Sequence, residues 1–368
     1  MGSTKIQMVD TKNQYLKIKK EVDSAIEAVI DSSQFIQGPV VAEFEKNVAS
    51  YLNCKHAIGC ASGTDALQIA MMAAGIKPGD EIITTPFTFV ATTETIVLLG
   101  AKPVYADIEE KTFNIDVNKI EELITPRTKA IMPVHLYGQP AEMDTIMDIA
   151  KKHGLYVIED AAQALGAMYK GKNVCTIGDI SCISFYPSKN LGAFGDAGML
   201  TTDNDELAQK IRMITSHGSK RKYYHEILGV NSRLDSIQAA VLNVKLKYLD
   251  HYCDARITAA EKYNKRFEGK IEPPFIIPGV KHIFHQYSIR VNNRDAMQGF
   301  LKENGIPSMI YYPVPLHLQE AYKYDYKKGD LPVSEKIAMD IISLPMHTEL
   351  TDEQIDLISG KVLEFNSR

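Results

Sequence analysis

A positive balance is the first thing this sequence lacks: Asp and Glu outnumber Lys and Arg by 46 to 41, a formal net charge of -5. The chain therefore offers no basic field to a nucleic-acid backbone, although a site can be locally basic for an anionic small molecule. Cysteine is sparse. The five present (Cys54, Cys60, Cys175, Cys182, Cys253) form no C-x-x-C pair and no regular framework, which argues against a disulfide scaffold or a zinc site and fits reduced thiols in a cytoplasmic protein. No apolar run approaches the roughly 18 residues of a membrane span, and the polar start has no leader pattern. Met1-Gly2 would suit myristoylation only with Ser or Thr at position 6, where Ile6 stands. Internal repeats and low-complexity tracts are missing too. What remains is a 368-residue chain, long enough for a sizeable core and two domains.

What is present alternates. Apolar residues at helical spacing run from Lys12 to Asp31 and from Val40 to Leu52, separated by Gly38-Pro39. The order then reads strand, small-residue turn and helix at Ala57–Ala74, strand at Glu81–Thr85, a helix ending at Gly100, and a strand at Pro103–Asp107. A helix is expected at Asp116–Ile124 and a strand at Lys129–Val134. This regular alternation predicts a mostly parallel sheet covered on both faces. Beyond Leu234–Leu249 and Ala255–Phe267, both helical, Pro273-Pro274, a strand at His285–Val291, a helix at Arg294–Asn304 and a last helix from Asp352 suggest a smaller α+β unit. The expected division is 1–250 and 251–368.

Three stretches carry chemistry. Ser184-Phe-Tyr-Pro-Ser-Lys189, continuing through Gly192, Gly195 and Gly198, places a lysine on a Gly-rich loop between two strand-like runs, at the tip of an expected hairpin. A crowded, partly dehydrated amine has a depressed pKa and can form a Schiff base with an aldehyde, though for this loop taken alone a solvated lysine in a turn is the simpler reading. Leu155-Tyr-Val-Ile-Glu-Asp160-Ala-Ala-Gln163 reads as a buried strand ending in a carboxylate, where α/β sheets hold ligands. A helix N-cap is the alternative for Asp160. Together the lysine and the acid are what pyridoxal phosphate needs: one for its aldehyde, the other to keep its ring nitrogen protonated. Cys60-Ala-Ser-Gly-Thr64-Asp65, before a run of helix formers, bares backbone N–H groups toward an anion, or is ordinary capping by Ser62 or Thr64.

The segments ASGTDAL, TPFTFVAT, VIEDAAQALGA, SFYPSKNLGAFGDAGML and GVNSRLDSIQAA resemble, in this order, the DegT/DnrJ/EryC1/StrS family of PLP-dependent sugar aminotransferases. The likeness runs from about Ile6 to the last helix. It implies fold type I, the aspartate aminotransferase fold, with a large PLP-binding domain and a smaller C-terminal one. Lys189 would be the Schiff-base lysine, Asp160 the partner of the pyridinium nitrogen and Gln163 a contact of the ring hydroxyl. Thr64, the backbone at Gly63, and Ser184 would hold the phosphate, with Phe89 stacked on the ring. Asn231 would reach the phosphate from a second subunit, so a homodimer with a shared active site is implied.

Arg233, Tyr312 and His317 would lie on the substrate side. Many family members have His-Tyr-Pro where this chain has Tyr311-Tyr312-Pro313. Within the family the likeness is greatest to members that aminate C3 of a UDP-linked 2-acetamido-2-deoxy-3-oxo-glucuronate, with L-glutamate as donor, for surface polysaccharide. Other nucleotide-linked 3- or 4-keto sugars are the alternatives. Dehydratases of the same fold carry a histidine in place of the lysine, so Lys189 argues against that activity; a non-catalytic regulator on the same scaffold is the other-class reading. His135, at the end of its strand, is expected to be held by its neighbours rather than to act as a base. The cluster Lys220 to His225 could meet a diphosphate or simply be a solvated loop.

Overall fold

The computed structural model describes residues 6–322 and 324–367; Met1-Gly2 lies outside them. A seven-stranded sheet dominates. Its strands are His56–Cys60 (β1), Glu81–Thr84 (β2), Lys102–Tyr105 (β3), Thr128–Ile131 (β4), Tyr156–Asp160 (β5), Ile180–Ser184 (β8) and Gly198–Thr202 (β9). A two-residue hairpin, Met168–Tyr169 (β6) and Lys172–Asn173 (β7), sits between β5 and β8. The sheet order is β1-β9-β8-β5-β4-β2-β3. The pairs from β8 through β5, β4 and β2 to β3 are parallel, and β9 runs antiparallel to both its neighbours. The carboxyl ends of the parallel strands therefore share one edge, and Ser184 pairs with Gly198 to close the expected hairpin.

Both faces are covered because successive side chains point to opposite sides. On β5, Val157 joins a core with the helices Pro39–Leu52 (α2) and Met143–His153 (α5), while Ile158 joins a core with Gly63–Ala73 (α3) and Asp205–Ile214 (α6). Ile183 and Cys182 of β8, and Met199 and Leu200 of β9, divide the same way. The N-terminal helix Thr11–Ser32 (α1) packs on Ser236–Leu246 (α7) through Ile18, Val22, Val241 and Val244.

Helix Leu249–Phe267 (α8) spans the expected division at residue 250. Its Leu249 and Cys253 belong to the sheet's core, whereas Ala260, Tyr263 and Phe267 belong to a second core with the strands Tyr287–Arg290 and Ile341–Leu344 and the helices Arg294–Glu303 and Asp352–Asn366. Ile6 packs in that second core, among residues distant from it in sequence.

The helix expected at Asp116–Ile124 is corrected: two 3₁₀ turns stand there, Val117–Lys119 and Glu121–Leu123. Val117 and Ile120 are the residues that bury, and a three-residue spacing suits a 3₁₀ turn. Pro126 then biases Thr125 away from helix. The segment around Lys220–His225 forms an exposed hairpin, Ser219–Arg221 with Tyr224–His225. All five cysteines are free thiols, and no helix among the described residues is long and apolar enough to cross a membrane.

Candidate active site

The shared carboxyl edge opens into a cavity of about 570 Å³, lined in part by Ser62, Gly63, Thr64, Phe89, Asp160, Gln163, Ser184 and Lys189. Eight residues scattered over more than a hundred positions thus meet because their strands end at one level. Lys189, on the β8–β9 loop, and Asp160, the last residue of β5, face the same space. Burial lowers the Lys189 amine to about 8, with the charge of Asp160 opposing that shift. Burial raises the Asp160 carboxyl above its ordinary value, opposed by hydrogen bonds from Thr92 Oγ1 to Oδ2 at 2.7 Å and from the Ala162 N–H to Oδ1 at 3.2 Å, and by the charge of Lys189. Capping by its side chain two residues ahead and ligand contact are both open to Asp160, since each oxygen keeps a further lone pair.

One end of the cavity is an anion cradle. Ser62 caps α3, its hydroxyl accepting from Asp65 N at 3.1 Å. The amides of Gly63 and Thr64 begin that helix and have no carbonyl a turn back. The approach there is close: a Cβ on Gly63 would stand 2.6 Å from Ser184 Cβ, and one on Gly198 would stand 2.2 Å from the Ser62 carbonyl oxygen. Ser232 ties the turn from behind, accepting from Ala61 N at 3.0 Å and donating to Asp65.

The side wall is aromatic. Phe89 is 54% exposed, uncommon for a phenylalanine, because its ring lies along the cavity, 6.4 Å from that of Tyr312. Gln163 accepts from Tyr137 N at 2.7 Å and donates to Tyr312 Oη at 3.3 Å. His285 and Gln286 enter beside the second core, while Tyr311 and Tyr312 come from a cluster with Phe87, Val134 and Tyr137. Arg256 of α8 anchors the His285 segment, donating from Nη1 to the carbonyls of Phe284, His285 and Met346 at 3.4, 3.2 and 3.1 Å. Burial pushes the His285 ring well below its usual pKa, with Lys189 and Arg256 adding to the shift, so this cavity histidine is neutral at pH 7.

Sequence reasoning passed over Thr88, Thr92, Tyr137, Tyr186, Ser188, Asp196, His285 and Gln286, of which all but Thr92 line the cavity. Thr88 and Thr92 had a signal, hydroxyls on the segment that leaves a strand's carboxyl end; His285 and Gln286 had none, since the second core brings them in.

Other expected residues sit elsewhere. His135 is fully buried behind the sheet edge: its Nδ1 accepts from Ala141 N at 3.1 Å, which leaves the proton on Nε2 to donate to Glu159 at 2.9 Å. Burial pushes Glu159 up, but the bonds from His135, Ser181 and Gly178 outweigh it and hold the carboxyl below its ordinary value. His135 is thus held by its neighbours. His317, expected on the substrate side, does not line the cavity; it is fully buried, 3.1 Å from Glu335, with its ring against Tyr105 and Tyr326. Asn231 is exposed, and Arg233 lines a different, smaller hollow with Glu45 and Arg212. Neither reaches the Lys189 cavity of its own chain.

The residues present fit pyridoxal phosphate: an amine depressed by burial, a carboxylate in the same cavity, a helix start bare of Cβ for a phosphate and an aromatic face for a flat ring. Comparison with known proteins agrees. The chain is 50% identical to a "Pleiotropic regulatory protein" of Geobacillus stearothermophilus, over 98% of each chain. It is 48% identical to the UDP-2-acetamido-2-deoxy-3-oxo-D-glucuronate aminotransferase of Pseudomonas aeruginosa, over 96% of this chain and 98% of that one. Among solved structures, S. venezuelae DesV in complex with a ketimine intermediate superposes with a TM-score of 0.97 at 40% identity, covering 99% of both chains. The family model described as DegT/DnrJ/EryC1/StrS aminotransferase matches residues 16–363. A match of that extent shows that this chain belongs to the DegT/DnrJ/EryC1/StrS aminotransferase family, whose members are PLP-dependent sugar aminotransferases.

Proposed function

We propose that the chain moves the amino group of L-glutamate to C3 of UDP-2-acetamido-2-deoxy-3-oxo-D-glucuronate, in the making of amino sugars for a surface polysaccharide. The observation that carries the reading is Lys189 and Asp160 on one cavity beside a helix start bare of Cβ; the substrate rests on the Pseudomonas aeruginosa relative. When bound, PLP supplies an electron-poor ring that accepts the electron pair freed when a C–H bond beside nitrogen breaks.

The chain's own residues do the rest. Lys189, with an amine at about 8, is neutral in a useful fraction near pH 7 to 8, so it can hold the cofactor's aldehyde and carry the proton between the α-carbon and the cofactor. Asp160 keeps a proton on the ring nitrogen. Gln163 holds the ring hydroxyl, and Phe89 covers the ring face. The Gly63 and Thr64 amides, with the Ser184 hydroxyl, hold the phosphate at a helix start, where the dipole favours an anion. Tyr312 stands at the substrate. A large domain, 1–250, would hold the cofactor, and a smaller one, 251–368, would close the substrate side.

A second copy of the chain is part of the proposal. Glutamate, the phosphate and a nucleotide diphosphate are all anionic, yet among the described lining residues the only Lys or Arg is Lys189, against Asp160 and Asp196. Asn231, Arg233 and the exposed Lys220, Arg221 and Lys222 lie outside the cavity. A homodimer in which each chain lends such residues to its partner would supply the missing charge; Arg233 suits a carboxylate through its planar fork.

The test is a spectroscopic screen of the PLP-loaded protein. Glutamate should remove the visible absorbance band, a 3-keto UDP sugar should restore it, and NMR should place the new amine on C3. A band that persists with every amino donor would refute transamination and favour a regulator. Amination at C4, or of dTDP or GDP sugars alone, would overturn the substrate and leave the reaction class standing.

A further inference from the structure

We propose that Thr92, backed by Thr88, is a positioning residue for the amination: it keeps the Asp160 carboxylate ionised and oriented toward the cofactor's ring nitrogen. The proposal rests on the reading that Asp160 faces that nitrogen. Thr92 sits in the first turn of the helix Ala91–Leu98 (α4), and Thr88 precedes it by one turn. Thr92 Oγ1 donates to Asp160 Oδ2 at 2.7 Å, and Thr88 Oγ1 lies 3.2 Å from Thr92 Oγ1. All three are buried, with exposures of 2%, 0% and 5% for Thr88, Thr92 and Asp160.

A hydroxyl has a single hydrogen to give. Once Thr92 gives its own to Asp160, its oxygen can accept the hydrogen of Thr88, and the whole row points at an ionised carboxylate. Because Thr92 and the Ala162 N–H donate to different oxygens, a proton on either one weakens the bond that oxygen accepts. Burial alone favours the neutral form. Among the described residues, the hydrogen bonds that reach the carboxylate come from Thr92 and from the Ala162 N–H. The other titratable groups around it act through space: Lys189 and Tyr312 across the cavity, and His135 and Cys182 from neighbouring strands. Glu159, next in sequence, is turned away and engaged with His135. Thr92 is therefore the described side chain whose hydrogen bond acts directly on the charge Asp160 presents. It needs a hydroxyl there, and valine of the same shape would not serve.

The test compares PLP-loaded Thr92→Val, Thr92→Ser, Thr88→Val and Asp160→Ala with the parent. The readouts are ¹⁵N NMR titration of ring-labelled cofactor, its dissociation constant, and kcat separately from KM. Thr92→Val should lower the pH at which the ring nitrogen loses its proton by about one to two units, and kcat by roughly ten- to a hundredfold, the worth of a hydrogen bond to a charged group. KM should stay nearly constant. Thr92→Ser should restore both, and Thr88→Val should fall between. An unchanged nitrogen titration in Thr92→Val, with Asp160→Ala still abolishing it, overturns the role of Thr92 alone. An unchanged titration in Asp160→Ala removes the underlying reading as well. Should Thr92→Val fail to fold, Thr88→Val decides: a parent-like titration there overturns the row.

Discussion

Gly63→Ala sets two effects of known size against each other. Alanine in place of glycine favours a helix, by up to about 1 kcal/mol in an interior position. Gly63 opens α3, but its added methyl would stand 2.6 Å from Ser184 Cβ and 3.1 Å from Ser184 Cα. Carbons that ordinarily touch near 3.5 to 4 Å must then separate by roughly 1 Å, and because the second of these is a backbone atom, the main chain itself has to give. Overpacking of this kind costs about 1–3 kcal/mol, so the clash wins and the apoprotein loses about 1 kcal/mol or more. The same displacement spreads the Gly63 and Thr64 amides from Ser184, and PLP affinity should fall by about tenfold or more, the worth of one charge-assisted hydrogen bond. Gly360 is the control: it lies inside the last helix, Asp352–Asn366, with nothing within 4 Å of its would-be Cβ, so Gly360→Ala should gain up to about 1 kcal/mol and leave PLP binding alone. Denaturant unfolding of the apoproteins and equilibrium dialysis of PLP read both quantities. A Gly63→Ala protein as stable as Gly360→Ala, binding PLP as the parent does, would refute the close-approach argument.

Two further outcomes follow from the same geometry. Uptake of PLP by the apoprotein should depend on the neutral Lys189 amine; because burial lowers that amine from 10.5 to about 8, the uptake rate should fall about tenfold per unit below pH 8 and level off above it, and a midpoint near 10.5 would contradict the dehydrated site. Glu159→Ala should cost about 3–5 kcal/mol, since it leaves the His135 N–H and the Ile177 and Gly178 amides buried without their acceptor, each unsatisfied donor costing about 1–3 kcal/mol; a loss under about 1 kcal/mol by denaturant unfolding would show that Glu159 does not organise these groups.

The sequence by itself determined the local pieces of the site. Strand, turn and helix at Ala57–Ala74, a strand ending in Asp160 at Leu155–Gln163, and a strand–loop–strand hairpin at Ile180–Thr202 are each coded by neighbours in the chain: apolar runs, glycines and a cap. The structure has those elements, and it puts Lys189 and Asp160 on one cavity. Periodicity misled at Asp116–Ile124, where a few apolar residues at helical spacing suit two short 3₁₀ turns as well as one helix.

Only the tertiary structure decided what crosses the chain. That Thr92 spends its hydroxyl on Asp160, that Arg256 pins the carbonyls around His285, and that Gly63 must stay bare before Ser184 depend on contacts between residues 28 to 121 positions apart. No period or motif encodes such distances, because they arise from how the twisted sheet and the second core meet. The same reason removes His317 and Arg233 from the cavity of their own chain: sequence names the residue types, while packing chooses which of them share a space.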